Sequence, residues 1–332
     1  MSLPWFFAVD HLPTGAAASL ALGDGALSGG AATMEASNSR VQLRSSGDGG
    51  HKTIPTTAQI VVGARMKLGN FGSGAFLGIR AFGASSDVID LHRASQELRV
   101  RVGATVYTPA VAVEAADFTV YFWEMHCVAH ASAGSVTVRK DGVEVFTVSG
   151  IDTLGTGGSV GYSRVAFNPN SEGNLSYYTD LYIREAPESG NPFYGPILLR
   201  YLKPASDVQA QWTPNAGTDN FNRLNQAHDG DTTYVESDTL GDEDIYTLDD
   251  LPAGVNSVIA VVPVAVSVAP SGGAPQVELG IETAAGVVQT GERTVGVSNY
   301  QTQMGDAQVE KPGGGGWSIA AVNELKLRLK AV

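Results

Sequence analysis

Between Tyr177 and Pro204 the chain reads YYTDLYIREAPESGNPFYGPILLRYLKP, and this stretch limits the possible folds more than any other. Its opening alternates. Tyr178, Asp180, Tyr182 and Arg184 fall on one face of a strand, and Thr179, Leu181 and Ile183 fall on the other. The break that follows, APESGNP, holds a Gly and two Pro within seven residues. A second strand, FYGPILLRYL, is expected directly after it. Neither run has helical period. The segment predicts one β-domain over residues 1–188 and another over 189–332, joined without a flexible linker. Such rigid coupling suits a part of an assembly better than a catalyst.

The remaining runs agree with an all-β chain. A weak strand is expected at Arg40–Arg44, followed from Thr57 by TAQIVVGARMKL, AFLGIRAFG, DVIDLHRA, ELRVRVG and TVYTPAVAVEA. These are short and separated by Gly, Ser or Asn, the spacing of a sandwich. Leu98, Val100 and Val102 interleave with Arg99 and Arg101, one face for a core and one for water. A long hairpin follows, with turns at Ala131–Gly134 and Asp141-Gly142, and a DG pair between alternating runs is a strong hairpin signal. Further on, strands are expected near Ser257–Val268, Gln276–Glu282, Arg293–Val297 and Glu324–Ala331. In the last, Leu325, Leu327 and Leu329 alternate with Lys326, Arg328 and Lys330. SIAAVNEL before it reads as one helical turn.

Composition removes several function classes. Thirty-four acidic against twenty-one basic residues give a net charge of −13. A nucleic-acid binder needs a basic patch to displace phosphate counterions, so none is expected as partner. No Lys or Arg occurs from Leu224 to Glu292, and Asp229 to Asp250 carries nine carboxylates. The lone Cys127 allows no internal disulfide and no thiolate cage, and in FWEMHCVAH it reads as a buried thiol. MSLPWFFAVD has no basic region of a secretion signal, and the apolar run from Val255 is broken by Pro263. A soluble protein made in a reducing cytoplasm, without membrane insertion, is expected.

Two regions draw attention as sites. The acidic cluster around Asp229, Asp231, Asp242, Glu243 and Asp244 is read as a solvated, partner-facing surface. Asp229-Gly-Asp231 opens like a calcium loop but has Tyr234 where the loop needs Gly, so only a site from converging loops stays open. His126 and His130 would lie ~13 Å apart along a strand, too far to share a metal. No metal and no cofactor is expected. Tyr107, Tyr121, Trp123, Tyr178 and Tyr182 form a stacking platform for sugar rings if exposed, and core if buried.

The hairpin Asp117–Phe146, with Trp123-Glu124, Gly134-Ser135-Val136 and Asp141-Gly142-Val143, resembles the central region of concanavalin A-like (laminin G-like) sandwiches. The Tyr-Tyr-x-Asp-Leu-Tyr-Ile strand resembles their closing strand. Tyr194-Gly195-Pro196, TTYVESDTLGDEDIYTLDDLP and WSIAAVNELKLRL, in that order, are similar to the second module of tailed-bacteriophage virion proteins. MHCVAHA departs from that family in being apolar around the central tryptophan. The resemblance implies an all-β fold, a concanavalin A-like jelly roll followed by a smaller β-sandwich assembly module. It implies a non-enzymatic virion component, of tail, fibre or capsid decoration. Its partners would be other virion proteins in a symmetric homo-oligomer, a trimer as in many phage appendages. A host-surface glycan bound on the first sandwich is the alternative. Sandwiches of this kind include glycosidases, which set carboxyl groups about 5 Å apart for retaining chemistry. Glu124 stands alone beside Trp123, and Glu236-Ser237-Asp238 lacks a third carboxylate and lies in the second module, so no catalytic residue is assigned.

Overall fold

Period-two runs closed by tight turns generate strands throughout. A computed structural model describes residues 5–7, 31–37, 40–46, 50–68, 73–81, 89–116, 119–155, 160–167, 176–185, 190–225, 232–269, 275–296 and 301–332. The protein is all-β, with several antiparallel sheets and two short helices among the described residues. It divides into two units, the first ending at Leu199 and the second starting at Arg200.

The first unit contains β1 (Trp5–Phe7), β2 (Ala31–Ser37), β3 (Arg40–Ser46), β4 (Gly50–Thr57), β5 (Gln59–Leu68), β6 (Ser73–Ala81) and β7 (Ile89–Ala94). It continues with β8 (Glu97–Val102), β9 (Thr105–Tyr107), β10 (Val120–Val128), β11 (Gly134–Lys140), β12 (Val143–Ile151), β13 (Tyr162–Phe167) and β14 (Ser176–Glu185). One sheet runs β12-β11-β10-β5-β14-β3-β2, with β1 also on β14, and the other runs β4-β13-β6-β7-β8-β9. The two face each other through an apolar layer. Val62, Ala64 and Met66 of β5, and Trp123, Met125 and Cys127 of β10, are fully buried. Trp123 meets Phe76 of the opposite sheet at 5.7 Å between ring centroids. Each large side chain so buried stabilises by about 1.5–3 kcal/mol. The DG turn forms as expected, Asp141 and Gly142 both having positive φ (51° and 83°).

Two expectations fail at the junction. Tyr178 and Tyr182 do not share a face. β14 slips register against β5 between Thr179 and Tyr182, and Asp180 there has φ of +49°. This bulge reverses the alternation. Tyr178 points inward and donates to the Phe76 carbonyl at 2.7 Å, while Tyr182 points outward. Nor is FYGPILLRYL a strand. Gly195 has φ of +81° and Pro196 lacks an N–H, so residues 191–202 run without ladder bonds, and pairing resumes where the Lys203 carbonyl accepts from the Asp249 amide just before β15 at Pro204.

The second unit holds β15 (Pro204–Gln209), β16 (Thr213–Pro214), β17 (Val235–Glu236), β18 (Glu243–Leu248) and β19 (Val264–Ser267). β20 (Gln276–Thr283), β21 (Gly286–Thr294), β22 (Gln301–Met304) and β23 (Lys326–Ala331) complete it. Its main sheet runs β15-β18-β23-β20-β21, and β16-β17 and β19-β22 form two short ladders. The expected strand at 257–268 contracts to β19, and the one expected at 293–297 lies earlier, as β21. β23 behaves as its alternation demands: Leu325 before it and Leu329 within it are buried, whereas Lys326 bonds Glu282 and Arg328 bonds both Glu282 and Glu243. The helical turn is real, Ile319–Asn323, with the Ser318 hydroxyl accepting from the Ala321 amide.

Candidate functional site

The outward face of the first sheet carries a group of polar and ionisable side chains. β10 presents Phe122, Glu124 and His126 there, because their neighbours Trp123, Met125 and Cys127 fill the core. β5 lies opposite with Gly63 across from Glu124 and Val61 across from His126, and β11 sets Arg139 across from Glu124. Beyond the bulge, β14 adds Tyr182 across from Gly63 and Arg184 across from Val61. Gly63 is needed for this. A Cβ at that position would lie inside the Tyr182 ring's van der Waals envelope, so only glycine lets the ring lie flat over the sheet.

Glu124 is the centre. Its Oε1 accepts from the Tyr182 hydroxyl at 2.5 Å and from the Gly195 amide at 2.8 Å. Its Oε2 is buried and meets no hydrogen-bond partner among the described residues. Burial raises the Glu124 carboxyl above its ordinary value, opposed by the Tyr182 and Gly195 bonds and by the Arg139 charge. Burial also pushes the Tyr182 hydroxyl well up, with the Glu124 charge acting the same way. His126 is held below its ordinary value by burial and then by Arg184, so its imidazole is neutral at pH 7. Its Nε2 is likewise buried without a partner, as is Nε of Arg139.

Residues 191–199 lie over this face. Phe193 stands edge-on to His126 at 5.9 Å, with the Arg139 guanidinium 4.1 Å above its ring centroid. Tyr194 packs on Tyr182 at 5.1 Å and under Arg184 at 5.0 Å. Arg184 donates to the Pro192 carbonyl at 2.9 Å, Arg65 to the Ile197 carbonyl at 3.4 Å, and the Leu199 amide donates to Asp180 at 2.9 Å.

The five aromatic residues expected as a sugar platform are dispersed. Trp123, Tyr178 and Tyr182 are buried, the first two between the sheets and the third under residues 191–199. Tyr121 and Tyr107 are half-buried; Tyr121 meets Trp123 edge-on at 6.0 Å with Lys140 Nζ 3.6 Å from its ring centroid, and Tyr107 meets Phe146 at 6.2 Å. The acidic stretch is also not one surface. Asp229 and Asp231 lie outside the described residues. Asp242 is half-buried and accepts from Ser237, and Glu243 is tied to Arg328. Asp244 is fully buried because its carboxylate gathers the Gln211 and Trp212 amides, the Asn220 amide group and the Tyr246 hydroxyl. Among the described residues no three His, Cys, Asp or Glu side chains stand together as a metal site. In the sequence Glu124 stands alone and His126 is marked only by its distance from His130, and nothing there singles out Arg139, Arg65 or Gly63 as partners of Glu124 or His126. Cross-strand pairing across the β10–β11 hairpin was the signal that links Glu124 to Arg139.

No family model matches the chain, and no curated protein matches it. Among solved structures it is similar to alginate lyase Aly36B, at 11% identity and a TM-score of 0.42, covering 55% of this chain and 97% of that one. It is similar to endo-β-1,4-glucuronan lyase from the fungus Trichoderma reesei, at 11% identity and 0.33, covering 56% and 95%. A mutant Trypanosoma rangeli sialidase follows at 17% identity and 0.33, covering 46% of this chain and 27% of that chain. These findings correct the resemblance drawn from sequence. These neighbours are lyases and a sialidase rather than virion proteins. The readings of a tailed-phage virion component, and of a protein that is not an enzyme, are therefore withdrawn. The motifs behind them are short strand-and-turn patterns that any twisted antiparallel sandwich repeats.

Proposed function

We propose that the first unit, taken as a concanavalin A-like sandwich, processes an acidic polysaccharide on the outward face of its β10 sheet. His126 and Tyr182 act there as the proton-transferring pair. The observation that carries this reading is the half-buried His126 imidazole, its Nε2 buried and unpartnered among the described residues, on the face that holds Tyr182, Arg139 and Arg184. The chain as a whole is acidic, so a cluster of guanidinium groups beside a base is a local exception that fits an anionic ligand.

The chemistry follows from those groups. A uronic acid carries a carbon-bound proton next to its carboxylate. A guanidinium that neutralises the carboxylate stabilises the negative charge that develops when this proton leaves. A neutral imidazole takes the proton, and a tyrosine hydroxyl gives one to the departing glycosidic oxygen. One C–H and one C–O bond break, a C=C bond forms, and the chain is cut by elimination. Hydrolysis fits less well: it needs two carboxyl groups at a defined separation, and of the other carboxylates of this face Asp180 is held by Arg65 at 2.9 Å while Glu144 lies one strand beyond Arg139.

Alginate and glucuronan, the polymers for which two of the similar lyases are named, serve as test substrates beside neutral glucans. The expected result is ultraviolet-absorbing unsaturated ends from at least one acidic polymer and none from neutral ones. His126→Ala and Tyr182→Phe should each abolish the signal while circular dichroism stays unchanged. Absence of unsaturated ends from every acidic polysaccharide tried would reject the reading.

A further inference from the structure

We infer that residues 190–199 form a closing strap, a separable piece of chain that covers the β10 face and must lift before that face takes a ligand. The ligand part of this inference rests on the function proposed above; the separability of the strap does not. Three observations support it.

The strap is held differently from the sheet beneath it. Among the described residues it makes no backbone–backbone ladder bond. Its main chain is tied to side chains instead: the Tyr194 amide to the Tyr182 hydroxyl at 3.3 Å, the Gly195 amide to Glu124, the Leu199 amide to Asp180, and the Pro192 and Ile197 carbonyls to Arg184 and Arg65. Such bonds break singly, whereas ladder bonds break together. Its apolar anchoring is also thin. Phe193 and Ile197 are buried, but Leu198 is 52% exposed and Pro196 is exposed.

The closed arrangement is incompletely satisfied. Glu124 Oε2, His126 Nε2 and Arg139 Nε are buried and lack partners in it. Buried polar atoms without partners are costly. Lifting the strap returns all three to water or offers them to a ligand, which offsets the loss of the Phe193 and Ile197 contacts.

What the strap occupies also identifies its competitor. The same side chains receive carbonyl oxygens at Arg65 and Arg184 and amide hydrogens at Glu124, Asp180 and Tyr182. A hydroxyl-rich, carboxylate-bearing sugar chain offers both acceptors and donors to those groups.

Amide hydrogen exchange on the full chain tests this. In the native protein the Tyr194, Gly195 and Leu199 amides should exchange by a local opening almost independent of denaturant, while the Glu124 and Cys127 amides of β10 exchange only with unfolding of the sheet. In Phe193→Ala and Ile197→Ala the strap amides should speed up by about tenfold or more with the β10 amides unchanged. Strap amides that exchange together with β10 in the native chain, with the same denaturant dependence, overturn the inference whether or not the variants fold. Adding a polyuronate oligosaccharide separates the two proposals. Binding with faster strap exchange supports both. Binding with the strap still protected overturns the strap alone. A freely opening strap with no binding or cleavage of any acidic oligosaccharide leaves the strap standing and removes the functional reading.

Discussion

Glu124 and His126 sit two residues apart on one strand face, and burial drives their titrations in opposite directions. The Glu124 carboxyl is raised, so the folded state favours its protonated form. Its contribution to stability is complete below the ordinary glutamate value and is lost as pH rises through the raised one. His126 is lowered, so its contribution is complete above the ordinary histidine value and is lost as pH falls through the depressed one. Stability-versus-pH curves should therefore separate on substitution. Relative to Glu124→Gln, the native chain should lose stability as pH rises above the ordinary glutamate range. Relative to His126→Gln, it should lose stability as pH falls below the ordinary histidine range. Parallel urea-denaturation curves across that span would contradict both assignments. Gly63 sets the third expectation at this scale. Gly63→Ala forces the Tyr182 ring off the sheet, an overpacking cost of about 1–3 kcal/mol, read as a lower denaturation midpoint with unchanged slope.

At the scale of elements, much of this architecture was legible because strands announce themselves by alternation. Leu98, Val100 and Val102 went inward as their spacing required, β23 split its leucines from its cations, and Asp141-Gly142 turned the hairpin. The failures share one cause. A single residue in a bulge or a left-handed turn leaves almost no mark on periodicity, yet it inverts every face beyond it. Asp180 does this in β14, which is why Tyr178 and Tyr182 were read as neighbours when one lies in the core and the other on the site. The candidate site was illegible for the same reason: Glu124, Arg139, Arg184 and Gly63 come together only once three strand registers are known. A non-glycine left-handed turn also hides between β7 and β8, where Ser95 and Gln96 have φ of 51° and 63°. This is a two-residue turn of the mirror-image type, which Asn-Gly fills without strain. Replacing Ser95-Gln96 by Asn-Gly should raise stability by about 1 kcal/mol, visible as a higher thermal midpoint. A fall would mean that Ser95 and Gln96 make contacts worth more than the strain they carry.

Across the whole molecule, the chain divides at Leu199–Arg200, and each unit holds a buried carboxyl that accepts from neighbouring main chain. In the first unit it is Glu124, only half satisfied. In the second it is Asp244, whose two oxygens accept four hydrogen bonds and so tie Gln211, Trp212 and Asn220 to β18. The contrast is between a carboxyl left half satisfied on the candidate site and one that holds a loop with both its oxygens. Asp244→Asn tests it. The substituted amide turns an NH2 group toward at least one existing donor, leaving a buried clash of donors and a cost of about 3 kcal/mol. Tyr246 and Leu329 belong to the same apolar cluster as Val277 and Leu279, so the damage should spread through that core. Calorimetry of the full chain is then expected to show two transitions, with only one of them moved down by Asp244→Asn. Hydrogen exchange should assign the moved transition to β18, β20 and β23, while β5, β10 and β14 keep their native protection. A single transition that shifts as a whole would show the units to unfold as one.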